Sequence, residues 1–231
     1  MPGTLFVVGT PIGNLEDMTF RAVRILSEAD LIAAEDTRQT RILTAKYNIT
    51  TPTTSYHKFN IKGKTSYLID LIQEGKNIAL VSDSGMPGIS DPGEELIRAS
   101  VEQNIRVEVI PGPSAAITAL VASGLATDGF IFIGFLPKKP GKKRKALERL
   151  KDEEKTLIIY ESPFRIAKTV EEVKAIMGER QVAVARELTK KFEEVIRGTA
   201  GEVLERLKTG PVKGEMVLII SGQATQRERH S

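Results

Sequence analysis

Three stretches rich in glycine and proline stand directly after short apolar runs: VGTPIGN at 8–14, SDSGMPGISDPG at 82–93 and IPGPSA at 110–115. The middle one packs three Gly, two Pro, two Asp and three Ser into twelve residues, more backbone punctuation than a plain connection needs. Glycine lets main chain approach a ligand closely, and proline fixes the turn beside it. Three such loops predict a rigid pocket walled by backbone. GTPIG is not the dinucleotide fingerprint, because Thr10 and Pro11 displace the glycines of G-x-G-x-x-G. Nor is there a G-x-x-x-x-G-K-[ST] phosphate loop. A pocket without lysine suits a ligand that is not chiefly a polyphosphate.

Charged residues form further groups. In AEDTR (34–38), Glu35 and Asp36 close an apolar run, Thr37 or Asp36 stands at an N-cap position, and Arg38 falls in the first helical turn. Acids at a helix start are ordinary caps, so Glu35 and Asp36 read equally as caps or as active-site groups. Arg38 opposes the helix dipole there, which predicts a phosphate or carboxylate partner. Arg165, after ESP, invites the same reading. Arg186, Glu187 and Lys190 end another strand, as an ion-pair network or as site residues. In PKKPGKKRKALERL (137–150), six basic residues fall within eight positions: Lys138, Lys139, Lys142, Lys143, Arg144 and Lys145. That run reads as a mobile loop feeding a helix, suited to sequence-independent contact with RNA phosphates, against the plainer reading of a solvated face. Tyr56, His57 and Phe59 stack a base or belong to the core.

The elements that must hold these groups alternate. Strands are predicted at 5–8, 31–34, 78–81 and 107–110, with helices at 20–28, 37–47, 65–74 and 94–103, a parallel sheet covered on its faces. All three glycine loops then follow strand carboxyl ends, where open α/β sheets bind ligands. PGPSAA at 111–116 interrupts the pattern and marks a domain boundary. Beyond it strands are predicted at 130–134, 156–160, 181–186, 194–197 and 215–220, with helices at 114–122, 144–150, 164–177 and 200–207. A strand-to-strand return between Arg186 and Arg197 predicts mixed pairing. The fold class is therefore α/β, with two tandem domains at 1–111 and 112–222 and a flexible polar tail at 223–231.

Composition narrows the chemistry. The 231 residues are 41% apolar and 27% charged, with a net charge of +3. Contact with a polyanion must therefore come from local patches. Absent cysteine excludes disulfides and thiolate catalysis and fits a reducing cytoplasm, and two histidines make a zinc site unfavourable, so no metal is predicted. No apolar run approaches membrane-span length, and no signal peptide is predicted.

The motifs VGTPIGNLEDMTFRA, AEDTRQT, SDSGMPGISDPG, IPGPSAAITAL, GFLPKK, YESPFRI, ARELTKKFEEV and KGEMVLIISG, in this order, resemble the ribosomal RNA small subunit methyltransferase I family. That family lies within the tetrapyrrole-methylase-like, S-adenosylmethionine-dependent enzymes. The resemblance spans residues 5–222 and implies two αβα domains with the cofactor in the cleft between them. It implies 2′-O-methylation of a cytidine ribose in the decoding region of 16S ribosomal RNA, with the small subunit as partner, and a homodimer. Carried over by motif, Pro11, Ser84, Gly85, Met86, Ile89, Ser114 and Ala115 would contact S-adenosylmethionine, and Glu161 from the second domain. Relatives often read His-x-x-Asn-Glu where this chain has HKFNIKG, so no glutamate role beside Asn60 is carried over. Relatives commonly continue past the last strand, so RNA grip is expected from the two core domains. Such chemistry asks for in-line positioning, about 7–11 kcal/mol of the barrier, and for a poised base, about 10²–10⁴-fold in rate. The rival readings are a porphyrin or diphthamide methylase of this fold and a ribosome-binding factor without catalysis.

Overall fold

The computed structural model describes residues 1–209 and 214–223. The chain divides into two compact units, Met1–Ser114 and Ala115–Ser231. In the first, β1 (Thr4–Val8), α1 (Phe20–Glu28), β2 (Leu31–Ala34), α2 (Thr37–Lys46), β3 (Thr53–Ser55), α3 (Ile61–Gln73), β4 (Ile78–Val81), α4 (Gly93–Glu102) and β5 (Arg106–Ile110) alternate. The five strands pair in the order β3-β2-β4-β1-β5, every pair parallel.

Side-chain alternation along the strands explains the layers. Val8, Ala79, Val81 and Ile110 face α1 and α2, where Ala22, Ile25, Leu26 and Leu43 meet them. Leu5, Val7, Ile78 and Leu80 face α3 and α4, through Leu68, Ile69, Ile72 and Leu96. A sheet so covered must be apolar on both faces, hence the near-continuous runs LFVV and IALV. Two caps set helix starts: the Thr19 hydroxyl accepts from the Ala22 N–H and the Asp36 carboxylate from the Arg38 N–H. Asp36, not Thr37, caps α2. β1 leads to β2 beyond β4, whereas β4 leads to β5 beyond β1. Their connections leave in opposite directions, which makes a switch point of the β1–β4 boundary.

The second unit comprises α5 (Ala115–Ser123), β6 (Phe130–Phe135), α6 (Pro140–Arg149), β7 (Thr156–Glu161), α7 (Ile166–Met177), β8 (Gln181–Arg186), β9 (Glu194–Thr199), α8 (Ala200–Thr209) and β10 (Met216–Ile220). Its strand order is β6-β7-β10-β8-β9. β6 and β7 are parallel, β10 lies antiparallel between β7 and β8, and β8 and β9 form a hairpin. Mixed pairing is as predicted. Leu147, Val170, Val173, Val203 and Leu207 from α6, α7 and α8 pack one face against Leu157, Ile159, Val184 and Leu218. α5 packs against β7, β8 and β10.

Three expectations are corrected. β3 was not predicted, because TTS is polar and an edge strand pairs on one side only. The basic run does not form a loop up to Arg144: α6 starts at Pro140, a proline in the first helical turn where its missing N–H costs nothing. Gln223 is not part of a loose tail, since its N–H donates to the Glu153 carbonyl at 2.7 Å; residues 224–231 of the predicted tail lie outside the described residues.

Candidate functional site: the carboxyl edges of the two sheets

At the carboxyl edge of the first sheet the three glycine loops are joined main chain to main chain. Thr10 and Gly85 exchange both hydrogen bonds, N–H to carbonyl, at 2.9 and 3.1 Å, across the switch point. The Thr10 hydroxyl donates to the Ser82 carbonyl at 3.2 Å. Gly9 donates to the Ile110 carbonyl at 3.1 Å and lies so close to the third loop that a Cβ added to it would sit 2.7 Å from the Gly112 Cα. Gly85 takes φ +77°, the left-handed region that favours glycine, with the Pro113 carbonyl and Ile12 beside it. Asp91 braces the middle loop from within, accepting from the N–H groups of Gly88 at 2.9 Å and Gly93 at 2.7 Å.

The expected cofactor contacts divide accordingly. Gly85 is buried in the stitched bridge, Met86 puts its sulfur against Gly9, Pro11 follows the bridge on the first loop, and Ser84 and Ile89 are exposed on the middle loop. Ser114 ends the first unit and Ala115 opens α5. Thr10, Gly9, Gly112 and Asp91 were missed as builders of this edge. Their signal was present in the paired glycines and the Asp-Pro-Gly turn.

Carboxylates crowd the neighbouring strand ends. The Asp36 N–H donates to Asp83 at 2.9 Å, and the Asp83 N–H donates to Glu35 Oε2 at 3.4 Å. Burial and the Asp83 charge push the Glu35 carboxyl up, and burial does the same to Asp83 against the hydrogen bond it accepts from the Asp36 N–H. Asp36 instead drops to about 2, because the Arg38 guanidinium and N–H hydrogen-bond its carboxylate. The partner predicted for Arg38 is thus Asp36, at 2.6 Å. Tyr56 is core, its hydroxyl bonded to Thr65 at 2.8 Å, so it cannot stack a base. His57 and Phe59 stay nearer the surface, edge to face.

In the second unit the structure ties up most of the predicted residues internally. Glu161 is 2% exposed, and its carboxylate accepts from the Ser162 N–H, the Thr169 hydroxyl and Arg165 at 2.9, 2.8 and 3.2 Å. Arg165 also donates to the carbonyls of Leu136 and Pro137 at 3.1 and 3.4 Å, which binds the loop after β6 to the start of α7. Lys143 is 4% exposed and donates to Thr169 and Glu172 at 3.2 and 3.1 Å. It is therefore corrected from a phosphate contact to a buried pair, because helical spacing puts Lys143 and Leu147 on the inner face of α6. Lys138, Lys139, Lys142, Arg144 and Lys145 remain exposed, Arg144 paired with Glu148 at 3.0 Å. Arg186 pairs with Glu194 at 2.6 Å, and Lys190 with Glu187 and Glu215, both at 3.1 Å. Burial opposes ionisation of Glu187, yet Lys190 and the Glu215 N–H hold it below the usual carboxylate range.

Comparison with known proteins follows this geometry. A profile of the family "Tetrapyrrole (Corrin/Porphyrin) Methylases" matches residues 4–204. A ribosomal RNA small subunit methyltransferase I from Halalkalibacterium halodurans is 51% identical over 98% of this chain and 78% of its own length. A protein of the same name from Synechocystis is 50% identical over 99% and 82%. Among solved structures, a cobalt precorrin-4 methyltransferase superposes with a TM-score of 0.71 at 17% identity, over 94% of either chain, a likeness of fold alone. With identity near one half sustained along almost its full length, and the fold to match, the chain belongs to the ribosomal RNA small subunit methyltransferase I family of the tetrapyrrole methylases.

Proposed function

We propose that this chain transfers a methyl group from S-adenosylmethionine to the 2′-oxygen of a cytidine ribose in the decoding region of 16S ribosomal RNA, working on the small subunit as a cytoplasmic homodimer. One observation carries the cofactor side of this reading. The three stitched loops offer main chain and carboxylates, Asp83 and Asp91, and hold no lysine or arginine. Such a donor set fits a cationic sulfonium nucleoside and repels a polyphosphate. The names of the close relatives support the RNA side. Among the described residues no helix is long and apolar enough to cross a membrane.

Pro11, Ser84, Gly85, Met86, Ile89 and Ser114 would hold the cofactor, which when bound supplies a methyl group on a positively charged sulfur. The rest is the protein's work. The Thr10–Gly85 bridge fixes the wall, so little reorganisation remains when the reactants meet. Glu35, raised by burial and by Asp83, is the group suited to take the ribose hydroxyl proton at its carboxylate. Exposed Lys138, Lys139, Lys142 and Lys145 would hold phosphates.

The test supplies labelled S-adenosylmethionine with small ribosomal subunits in one reaction and uroporphyrinogen in another, then maps ribose methylation by primer extension. Label on one 16S cytidine ribose is the expected result. Label on the tetrapyrrole, or on a base, overturns the proposal.

A further inference from the structure

Phenylalanine belongs in cores, yet four in the second unit are exposed: Phe130, at the start of β6, by 42%, and, more fully, Phe164 by 95%, Phe192 by 66% and Phe135 by 60%. The three most exposed occupy one edge. Phe135 ends β6, Phe164 follows β7 at the start of α7, and Phe192 lies in the hairpin after β8. Those three strands run the same way, so their carboxyl ends share a single rim. The rim is continuous. Arg165 ties the loop after β6 to the one after β7, and Lys190 ties the β8–β9 loop to Glu215 beside β10. Phe164 and Phe192 spring from strands with one strand between them, about 10 Å apart by sheet spacing.

The loop that displays Phe192 is held in an unusual shape. Glu187 and Thr189 adopt φ +48° and +65° without being glycine, and the Thr189 hydroxyl is buried with no hydrogen-bond partner. Local strain with an orphaned polar group is characteristic of ligand sites. The charges on the rim select the ligand. Glu161, Glu187, Glu194 and Glu215 are matched by Arg165, Lys190 and Arg186, and Glu193, exposed beside Phe192, accepts from the Thr189 N–H within the loop. Lys138 and Lys139 are exposed with no carboxylate within ion-pair reach among the described residues, and Lys191 lies 5.6 Å over the Phe192 ring. Flat aromatic faces alternating with unspent cations match a polyanion whose rings can be splayed outward, which is single-stranded nucleic acid.

We infer that the carboxyl rim of the second sheet is a stacking platform for single-stranded RNA, on which Phe164 and Phe192 each take one base while Lys138, Lys139 and Lys191 hold the intervening phosphates. This rests on the RNA reading above and names the side chains that would bind. Phe135, edge to face with Tyr160 at 5.5 Å, backs the platform.

The experiment measures binding of a short fluorescent oligocytidylate and, separately, of heparin, a polyanion without bases, to the full chain and to the Phe164→Ala, Phe192→Ala, Phe164→Tyr and Phe192→Tyr variants. Each alanine variant is expected to bind the oligonucleotide roughly tenfold more weakly with an unchanged salt slope, to bind heparin like wild type, and to recover with tyrosine. If wild type binds the oligonucleotide and both alanine variants match it, the platform is refuted while the RNA reading stands. If wild type ignores the oligonucleotide, the platform is refuted, and the RNA reading is decided separately by the methylation assay on small ribosomal subunits. Sedimentation is run in parallel: alanine variants that dissociate a wild-type dimer would show that a second copy covers these rings, and would overturn the platform.

Discussion

Replacing Gly9 with alanine probes the close approach on which the first edge is built. The new Cβ would lie 2.7 Å from both the Gly112 Cα and the Met86 sulfur, and 2.8 Å from the Gly112 nitrogen, where ordinary van der Waals separation begins at 3.4 Å. Met86 can swing aside. Gly112 cannot, because it is main chain two residues past Ile110, whose carbonyl accepts the Gly9 N–H. The loops must part by roughly 0.7 Å, and overpacking of this kind costs about 1–3 kcal/mol. For a chain of this length that lowers Tm by roughly 2–12 °C. The same displacement spreads the proposed pocket wall, so calorimetry should show S-adenosylmethionine binding weakened by about tenfold or more. Gly63→Ala supplies the control. It lies inside α3 with nothing within 4 Å of the added carbon, and should stabilise by about 0.5–1 kcal/mol while leaving cofactor affinity alone. If Gly9→Ala melts and binds like wild type, the loops do not meet as described and the reasoning fails.

The buried lysine of the basic run should behave unlike its neighbours. Lys143→Ala leaves Glu172, one of whose oxygens already lacks a partner, without its cation, and should cost about 2–4 kcal/mol in denaturant unfolding, somewhat below a fully buried pair because Glu172 is 19% exposed. Lys142→Ala should shift unfolding by less than about 0.5 kcal/mol, and equal losses for the two would contradict the burial. Neutralising Lys138, Lys139, Lys142 and Lys145 together should weaken RNA binding and flatten its dependence on log salt by about 0.7 for each phosphate left without its cation; an unchanged slope would make them solvated surface. Asp36 titrates at about 2 in the folded chain against an ordinary 3.8, so its contribution to stability is complete above about pH 4 and disappears as pH falls towards 2. Carboxyl chemical shifts should report that midpoint and show it rising in Arg38→Gln, and a wild-type midpoint near 3.8 would contradict the Arg38 pairing.

What could be read in the sequence was whatever leaves a periodic or steric mark. Runs such as IALV and LIIY gave their strands because burial on both faces demands continuous apolar residues. The glycine loops announced an edge where backbone meets backbone, although neither the Gly9–Gly112 approach nor the Thr10 bridge has a local signature; they join positions about a hundred and 75 residues apart. Lys143 misled because charge normally means solvent, and only the stripe it shares with Leu147 turns it inward. Arg38 was expected to face a phosphate or a carboxylate, and the carboxylate it meets stands two residues away in its own cap. The exposed phenylalanines were unreadable, since sequence alone does not distinguish a ring in a core from one in solvent.

The Thr10–Gly85 bridge ties residues that follow strands made early and late in the first unit, and neither half has a floor for a ligand until the other arrives. A partly folded chain therefore offers no half-formed version of the proposed pocket. If the proposed cofactor binds here, it stabilises the completed edge as a unit, so amide exchange at the ends of β1, β4 and β5 should slow in concert as ligand is added, never one loop at a time.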